Sequence, residues 1–408
     1  MASILYAWEF GANLGHAGAF MPLARMLRER GHEVHWAVAQ PASVGEFLAS
    51  EGFNWVAAPG VTETTRSGPP LSYADILLRF GYADAKALFG LVGAWRELMR
   101  LTGATLVLAD HAPTAVLAAR SLGNLPTMLF SNGFTVPPRC NPLPNMRHWQ
   151  ALPLSQLQAL DDTACNSINA MLERFQSPPL SCTADIFDVA EETMLTFPEL
   201  DHYPDRGPAR YWGSLPSAGG GRSAQWPGTP VNRCFAYLRP ESPHHELALN
   251  ALQALGASAL IYAPGLPSAT VQRYSSPQMR FLEHPADMAQ MTREADVAIT
   301  YASIATTTAF LLAGKPLLML PGHLEQFLVA RRIVDLGAGA LVNPEQAPGD
   351  LRSILAALFN DPAYRENARA FARKYAAFDQ SQVIRNLVRR VEELLNPNQT
   401  PTRIGELK

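Results

Sequence analysis

The chain has 408 residues, too many for one ordinary core and enough for two α/β domains. Hydrophobic residues make up 48% and charged residues 17%, a balance that excludes a disordered chain. A formal net charge of -3, with no Lys/Arg-rich tract, excludes a nucleic-acid footprint.

Residues 1–8 are apolar but lack a basic start, and Glu9 interrupts the run, so a buried first strand is expected over 3–8 rather than an export leader. Gly11, Gly15 and Gly18 punctuate a turn, and a helix is expected over 20–30, stopped by Gly31. A strand over 34–38 completes a β-α-β unit, the building block of parallel sheets. Residues 71–80 and 85–99 predict apolar-rich helices. A strand over 104–109 ends on Asp110, a helix covers 113–122 and a strand 127–130, followed by Ser131, Asn132, Gly133 and Phe134. Ligands of open α/β sheets bind at the carboxyl ends of strands, so His16, Asp110 and 131–134 are expected to share one crevice. Pro-rich loop and further helix fill 137–176. The aromatic-rich segments 61–101 and 137–176 are either ordinary packing or the walls of an acceptor pocket.

Between 211 and 232 the chain is rich in Gly, Ser and Pro and reads as a linker. Beyond it α/β alternation restarts. Strands are expected over 234–238, 259–263, 279–282, 297–300, 317–320 and 340–342, with helices over 244–255, 288–294, 306–313 and 325–336, then 352–359, 363–376 and 382–395. The longest later apolar stretch, 309–320, is broken by Gly314, Lys315 and Pro316 and does not read as a membrane span. Four scattered cysteines, with no CxxC or Cys/His spacing, predict reduced, buried side chains in a cytoplasmic protein and no metal site.

Three groups can carry chemistry. His16 suits the role of general base near neutral pH, and Asp110 could fix its tautomer; alternatively Asp110 is a helix N-cap. Ser303, Thr306 and Thr307 follow a strand and open a helix, where they could help bind phosphate or merely cap. Glu325 and Gln326 could hold sugar hydroxyls, or form an ordinary acidic helix start.

Taken together these segments resemble the UDP-glycosyltransferase-like family of GT-B glycosyltransferases, bacterial type. The resemblance rests on Gly15-His16 with Leu23-Ala24-Arg25, on Asp110 closing its strand, and on Arg280-Phe281-Leu282-Glu283-His284-Pro285. It rests further on Ala313-Gly314-Lys315-Pro316, Leu320-Pro321, Glu325-Gln326 and Leu336-Gly337-Ala338-Gly339 in order. It implies a GT-B fold: two Rossmann-like doubly wound domains facing a cleft, with the last helix crossing back to the first. The implied domains are an acceptor-binding one over 1–213, joined by 378–408, a linker over 214–232, and a donor-binding one over 233–377.

The resemblance implies an inverting, metal-independent transfer of a sugar from a nucleotide diphosphate donor, dTDP- or UDP-linked, to a small apolar or amphipathic acceptor of lipid or natural-product kind. His16 and Asp110 would be catalytic; His284, Tyr301, Ser303, Thr306, Thr307, Glu325 and Gln326 would bind the donor. No cofactor is implied beyond the nucleotide sugar as co-substrate. The sequence departs from the family where Tyr301 stands for a diphosphate-binding histidine, Ala309 for a ribose-binding carboxylate, Glu283 for a base-stacking tryptophan and Ala19 for a proline. These departures favour a deoxyribose donor of the dTDP-sugar type. They also leave open an accessory or binding protein with a degenerate donor site. A nucleotide-sugar epimerase would need carboxylates for proton removal from carbon, and none is evident.

Overall fold

A computed structural model describes residues 1–11, 14–61, 66, 68–123, 125–216, 221–229, 231–242 and 244–396. The chain divides into two compact units. Among the described residues, the first comprises Met1–Phe197, Tyr203–Gly213 and 381–396; the second comprises Pro198–His202 and Ser214–Gln380.

The first unit runs β1 (Ser3–Trp8), α1 (Gly15–Glu29), β2 (Glu33–Val38), α2 (Pro41–Ser50), β3 (Trp55–Ala57), α3 (Tyr73–Arg79) and α4 (Ala85–Leu101). It continues with β4 (Leu106–Asp110), α5 (Pro113–Ser121), β5 (Thr127–Ser131), α6 (Leu154–Arg174) and β6 (Glu191–Met194). Its six strands are parallel, in the order β3-β2-β1-β4-β5-β6. Chain order reverses between β1 and β4, so that is where a doubly wound sheet opens a crevice at its carboxyl edge. Both strands are buried apolar runs, as strands covered on both faces must be.

Helix α3 is buried along its whole length and packs on α6, while α4 packs on α5 and α6. Packing therefore accounts for most of the apolar residues of these two helices. Leu101 at the end of α4 is exposed, and Phe80, just past α3, stacks on Phe10 with ring centroids 4.3 Å apart.

The second unit runs β7 (Cys234–Tyr237), α7 (His245–Ala254), β8 (Ala259–Tyr262), α8 (Ser268–Tyr274), β9 (Met279–Leu282), α9 (Met288–Glu294) and β10 (Val297–Thr300). It continues with α10 (Ile304–Leu312), β11 (Leu317–Met319), α11 (Leu324–Asp335), β12 (Gly339–Leu341), α12 (Leu351–Asn360) and α13 (Pro362–Lys374). Its sheet is parallel, ordered β12-β11-β10-β7-β8-β9, and its order reverses between β10 and β7.

The stretch expected as a linker is anchored where it is described. Arg222 N–H donates to Pro285 O at 2.8 Å, Ala224 N–H to Gln290 at 2.9 Å, and Trp226 Nε1 to Glu294 at 2.9 Å. Residues 217–220 and 230 of that stretch, and 397–408 of the tail, lie outside the described residues.

Helix α14 (Gln380–Leu395) returns to the first unit and buries Val383, Ile384, Leu387, Val388 and Val391. Arg390 on it donates to Glu191 of β6 at 2.6 Å, and Arg30 faces Glu392 at 3.3 Å. Cysteine burial differs from expectation at two positions: Cys140 is exposed and Cys182 half-buried, while Cys165 and Cys234 are buried. Cys140 lies on a Pro-rich loop, where its thiol donates to Pro142 O at 3.3 Å. Among the described residues no helix is long and apolar enough to cross a membrane.

Candidate functional site

In the first unit the reversal between β1 and β4 sets Trp8 beside Asp110 in parallel register. Side chains alternate along a strand, so Tyr6 and Trp8 point to one face. His16 is the second residue of α1, one turn earlier than the expected helix start. Its ring stacks on Trp8 with centroids 5.1 Å apart, and its Nδ1 faces both Asp110 carboxylate oxygens at 2.9 Å. With Nδ1–H donating to the carboxylate, the tautomer is fixed and Nε2 is the basic nitrogen. Asp110 is nearly buried and His16 partly exposed, so one reaches solvent and the other does not.

Two further residues, Tyr6 and Gly11, hold this pair in place. Tyr6 donates its hydroxyl to Asp110 Oδ2 at 2.6 Å. Burial, then the Asp110 charge, hold that phenol well above its ordinary pKa, so it stays a donor. Gly11 lies against the far side of the imidazole: a Cβ there would sit 2.6 Å from His16 Nε2. Glu9 is buried at the end of β1. Its Oε2 accepts the Thr114 N–H at 2.9 Å, and its Oε1 has no hydrogen-bond partner. Burial pushes this carboxyl up to about 8, against which the Thr114 hydrogen bonds act only in part. Phe10, Phe80, His111 and Phe134 form an aromatic group beside it.

Ser131 does not join this set. Its hydroxyl bonds Thr135 at 2.8 Å and accepts the Gly133 N–H at 3.1 Å, closing its own turn.

In the second unit Tyr301, Ala302 and Ser303 connect β10 to α10. Ala302 takes a left-handed φ of 64° and donates its N–H to Thr300 Oγ1 at 3.0 Å. Ser303 is the N-cap residue, without a side-chain cap bond. The first helical hydrogen bond runs from Thr307 N–H to Ser303 O, so the N–H groups before it open toward the end of the strand. Thr306 is nearly buried and Thr307 wholly so. Thr307 is the fourth helical residue, and its buried hydroxyl has no hydrogen-bond partner.

Glu325 and Gln326 lie in the first turn of α11, and Gln326 Oε1 accepts the Gly322 N–H at 2.8 Å, holding the preceding turn. His284 is exposed on the loop after β9. Arg239, just past β7, lies 5.5 Å from the Tyr301 ring and donates to Tyr237 Oη at 3.2 Å. Among the described residues no group of three or more His, Cys, Asp or Glu is placed to hold a metal ion.

No protein-family model and no curated protein sequence matches the chain. Solved structures do. The glycosyltransferase VinC, solved with dTDP, is similar over 96% of this chain and 99% of its own, with TM-score 0.67 and 19% identity. The spinosyn rhamnosyltransferase SpnG is similar over 94% and 98%, with TM-score 0.65 and 16% identity. The glycosyltransferase SnogD from Streptomyces nogalater is similar over 95% and 98%, with TM-score 0.62 and 19% identity. With its two six-stranded parallel sheets flanked by helices, the chain has the GT-B fold of these glycosyltransferases.

Proposed function

We propose that the chain is an inverting, metal-independent glycosyltransferase that moves a sugar from a nucleotide diphosphate donor to a hydroxyl of a small apolar or amphipathic acceptor. The observation that carries this reading is the 2.9 Å His16–Asp110 pair at the order reversal of the first sheet, in a GT-B fold.

The chemistry follows from the residues. His16 Nε2 takes the acceptor hydroxyl proton as that oxygen attacks the anomeric carbon from the side opposite the diphosphate. The new C–O bond forms as the sugar–phosphate bond breaks, and the configuration inverts. The imidazolium that results is stabilised by Asp110, which Tyr6 holds in place through its 2.6 Å bond. At the second unit, the opening N–H groups of α10 and the Ser303 hydroxyl receive the diphosphate. Glu325 and Gln326 hold the sugar hydroxyls. Phe80 and His111, the half-buried members of the aromatic group, offer an apolar acceptor its contact surface.

The proposed donor is of the dTDP-sugar type, with a deoxysugar such as rhamnose. Ala309 offers no carboxylate to a ribose diol, so a deoxyribose loses less there. In support, VinC was solved with dTDP and SpnG, a rhamnosyltransferase, with thymidine diphosphate; SpnG was also solved with spinosyn aglycone. A second reading, an accessory protein with a degenerate donor site, is favoured by Tyr301 in place of a histidine. Titration of the protein with UDP and dTDP at one salt concentration separates the cases. The account expects dTDP to bind at least as tightly as UDP. Clearly tighter UDP refutes the donor assignment, and binding of neither supports the accessory protein.

A further inference from the structure

We infer that Arg239 supplies the positive charge that binds the diphosphate of the donor, a role the sequence leaves vacant by placing Tyr301 at the histidine position; the inference rests on the nucleotide-sugar reading above. β7 and β10 are neighbours in parallel register, Ala236 beside Ile299, and the sheet order reverses between them. The chain past β7 therefore runs alongside the β10–α10 turn, at the place where doubly wound sheets bind ligands. Arg239 lies there, 5.5 Å from the ring of Tyr301 in that turn.

The guanidinium is half-buried and has no ion pair among the described residues. It lies 5.5 Å from the ring of Tyr237 and 5.5 Å from that of Tyr301, which meet edge to face at 4.9 Å. Its polar contacts are phenol hydroxyls, Tyr237 at 3.2 Å and Tyr301. Glu241, exposed on the same loop, acts on it from beyond ion-pair contact.

Charged groups taken partly out of water are ordinarily matched by an opposite charge. Two neutral phenols do not provide one. A guanidinium presents five N–H donors in a planar fork suited to phosphate oxygens, and aromatic faces preset its orientation. Tyr301 thus has a task of its own: it steers a cation instead of being one. Ser242, whose N–H donates to Arg239 O at 3.1 Å, adds a buried hydroxyl with no hydrogen-bond partner on the same loop. The ligand this set fits is a diphosphate at the mouth of α10, and loss of Arg239 removes charge-assisted bonds that neutral donors cannot replace.

The test is calorimetric titration of wild type, Arg239→Gln and Arg239→Lys with thymidine diphosphate, thymidine and inorganic pyrophosphate. Melting temperatures check that the variants fold. Arg239→Gln is expected to weaken thymidine diphosphate and pyrophosphate at least about tenfold and to leave thymidine unchanged. Arg239→Lys, which keeps the charge but not the fork, should fall between. Affinity for thymidine diphosphate within twofold of wild type in Arg239→Gln overturns the inference, as does an equal loss for thymidine. Pyrophosphate binding by wild type that needs Arg239, with no binding of any nucleoside diphosphate, keeps the inference and removes the nucleotide-sugar reading. Wild type binding neither removes both.

Discussion

Replacing Gly11 by alanine tests the geometry of the proposed base without touching its chemistry. The added Cβ would lie 2.6 Å from His16 Nε2, short of ordinary contact, which starts at 3.4 Å, by about 0.8 Å. The imidazole has little room to yield. Trp8 stacks along its face, and Asp110 holds Nδ1 at 2.9 Å from both oxygens. Moving the ring away from the methyl therefore stretches or tilts the contact that fixes its tautomer. Gly11 also has φ of 102°, a region that costs a side-chain-bearing residue about 1–3 kcal/mol. A misplacement approaching 1 Å at a reacting group costs about 10²-fold in rate. Gly11→Ala should accordingly lower kcat about 10²-fold and destabilise the fold by at most a few kcal/mol. It should leave thymidine diphosphate affinity unchanged, because the diphosphate-binding groups belong to the second unit. The assay is steady-state transfer from a dTDP-sugar, with calorimetry and a denaturant melt alongside. A kcat within threefold of wild type would refute the placement of Nε2 at the reacting hydroxyl.

Tyr6→Phe keeps the ring that stacks on Phe20 at 3.9 Å and removes only the hydroxyl on Asp110. With one donor fewer, the Asp110 charge acts more fully on His16, so the acid limb of kcat/KM should move to higher pH and kcat should fall severalfold; an unmoved limb contradicts the role. Glu9, at about 8 when folded against 4.5 when free, binds a proton in the folded state that the unfolded chain has already released between those values. Stability should thus fall as pH rises from about 5 to 8, by up to about 1.4 kcal/mol per unit. Glu9→Gln should flatten that fall in urea melts, and an identical pH slope in the variant would refute the neutral, buried carboxyl.

Much of the second sheet was legible because its strands are short apolar runs separated by clear helix patterns; 279–282, 288–294 and 297–300 match the observed elements to the residue. Strands that break that pattern were missed. β6 opens with two glutamates, and only the folded chain shows Arg210 and Arg390 pairing with Glu191. β3 has three residues and an exposed face. The expected start of α1 falls late because Gly15 and Gly18 read as turn residues, yet the helix runs through both.

The site divides in the same way. His16 and Asp110 were visible as residue types at a turn and a strand end. Tyr6, 104 residues from Asp110, reads in the sequence as one more apolar strand position. Glu9 read as a break in an apolar run, and burial with one satisfied oxygen was invisible. Arg239 carried no motif, because its meaning lies in having two tyrosines beside it and no ion pair among the described residues. Thr307 reads in the sequence as one member of a Ser/Thr cluster, and only the fold shows its hydroxyl buried without a hydrogen-bond partner.

The central claim, sugar transfer with His16 as the general base, is tested most directly by turnover of wild type and His16→Ala at saturating dTDP-sugar and acceptor. The acceptor is identified beforehand by untargeted mass spectrometry of products. The account predicts a product of inverted anomeric configuration and a rate in His16→Ala lower by about two to four orders of magnitude. The variant should still bind the nucleotide diphosphate. A folded His16→Ala protein turning over near the wild-type rate would contradict it.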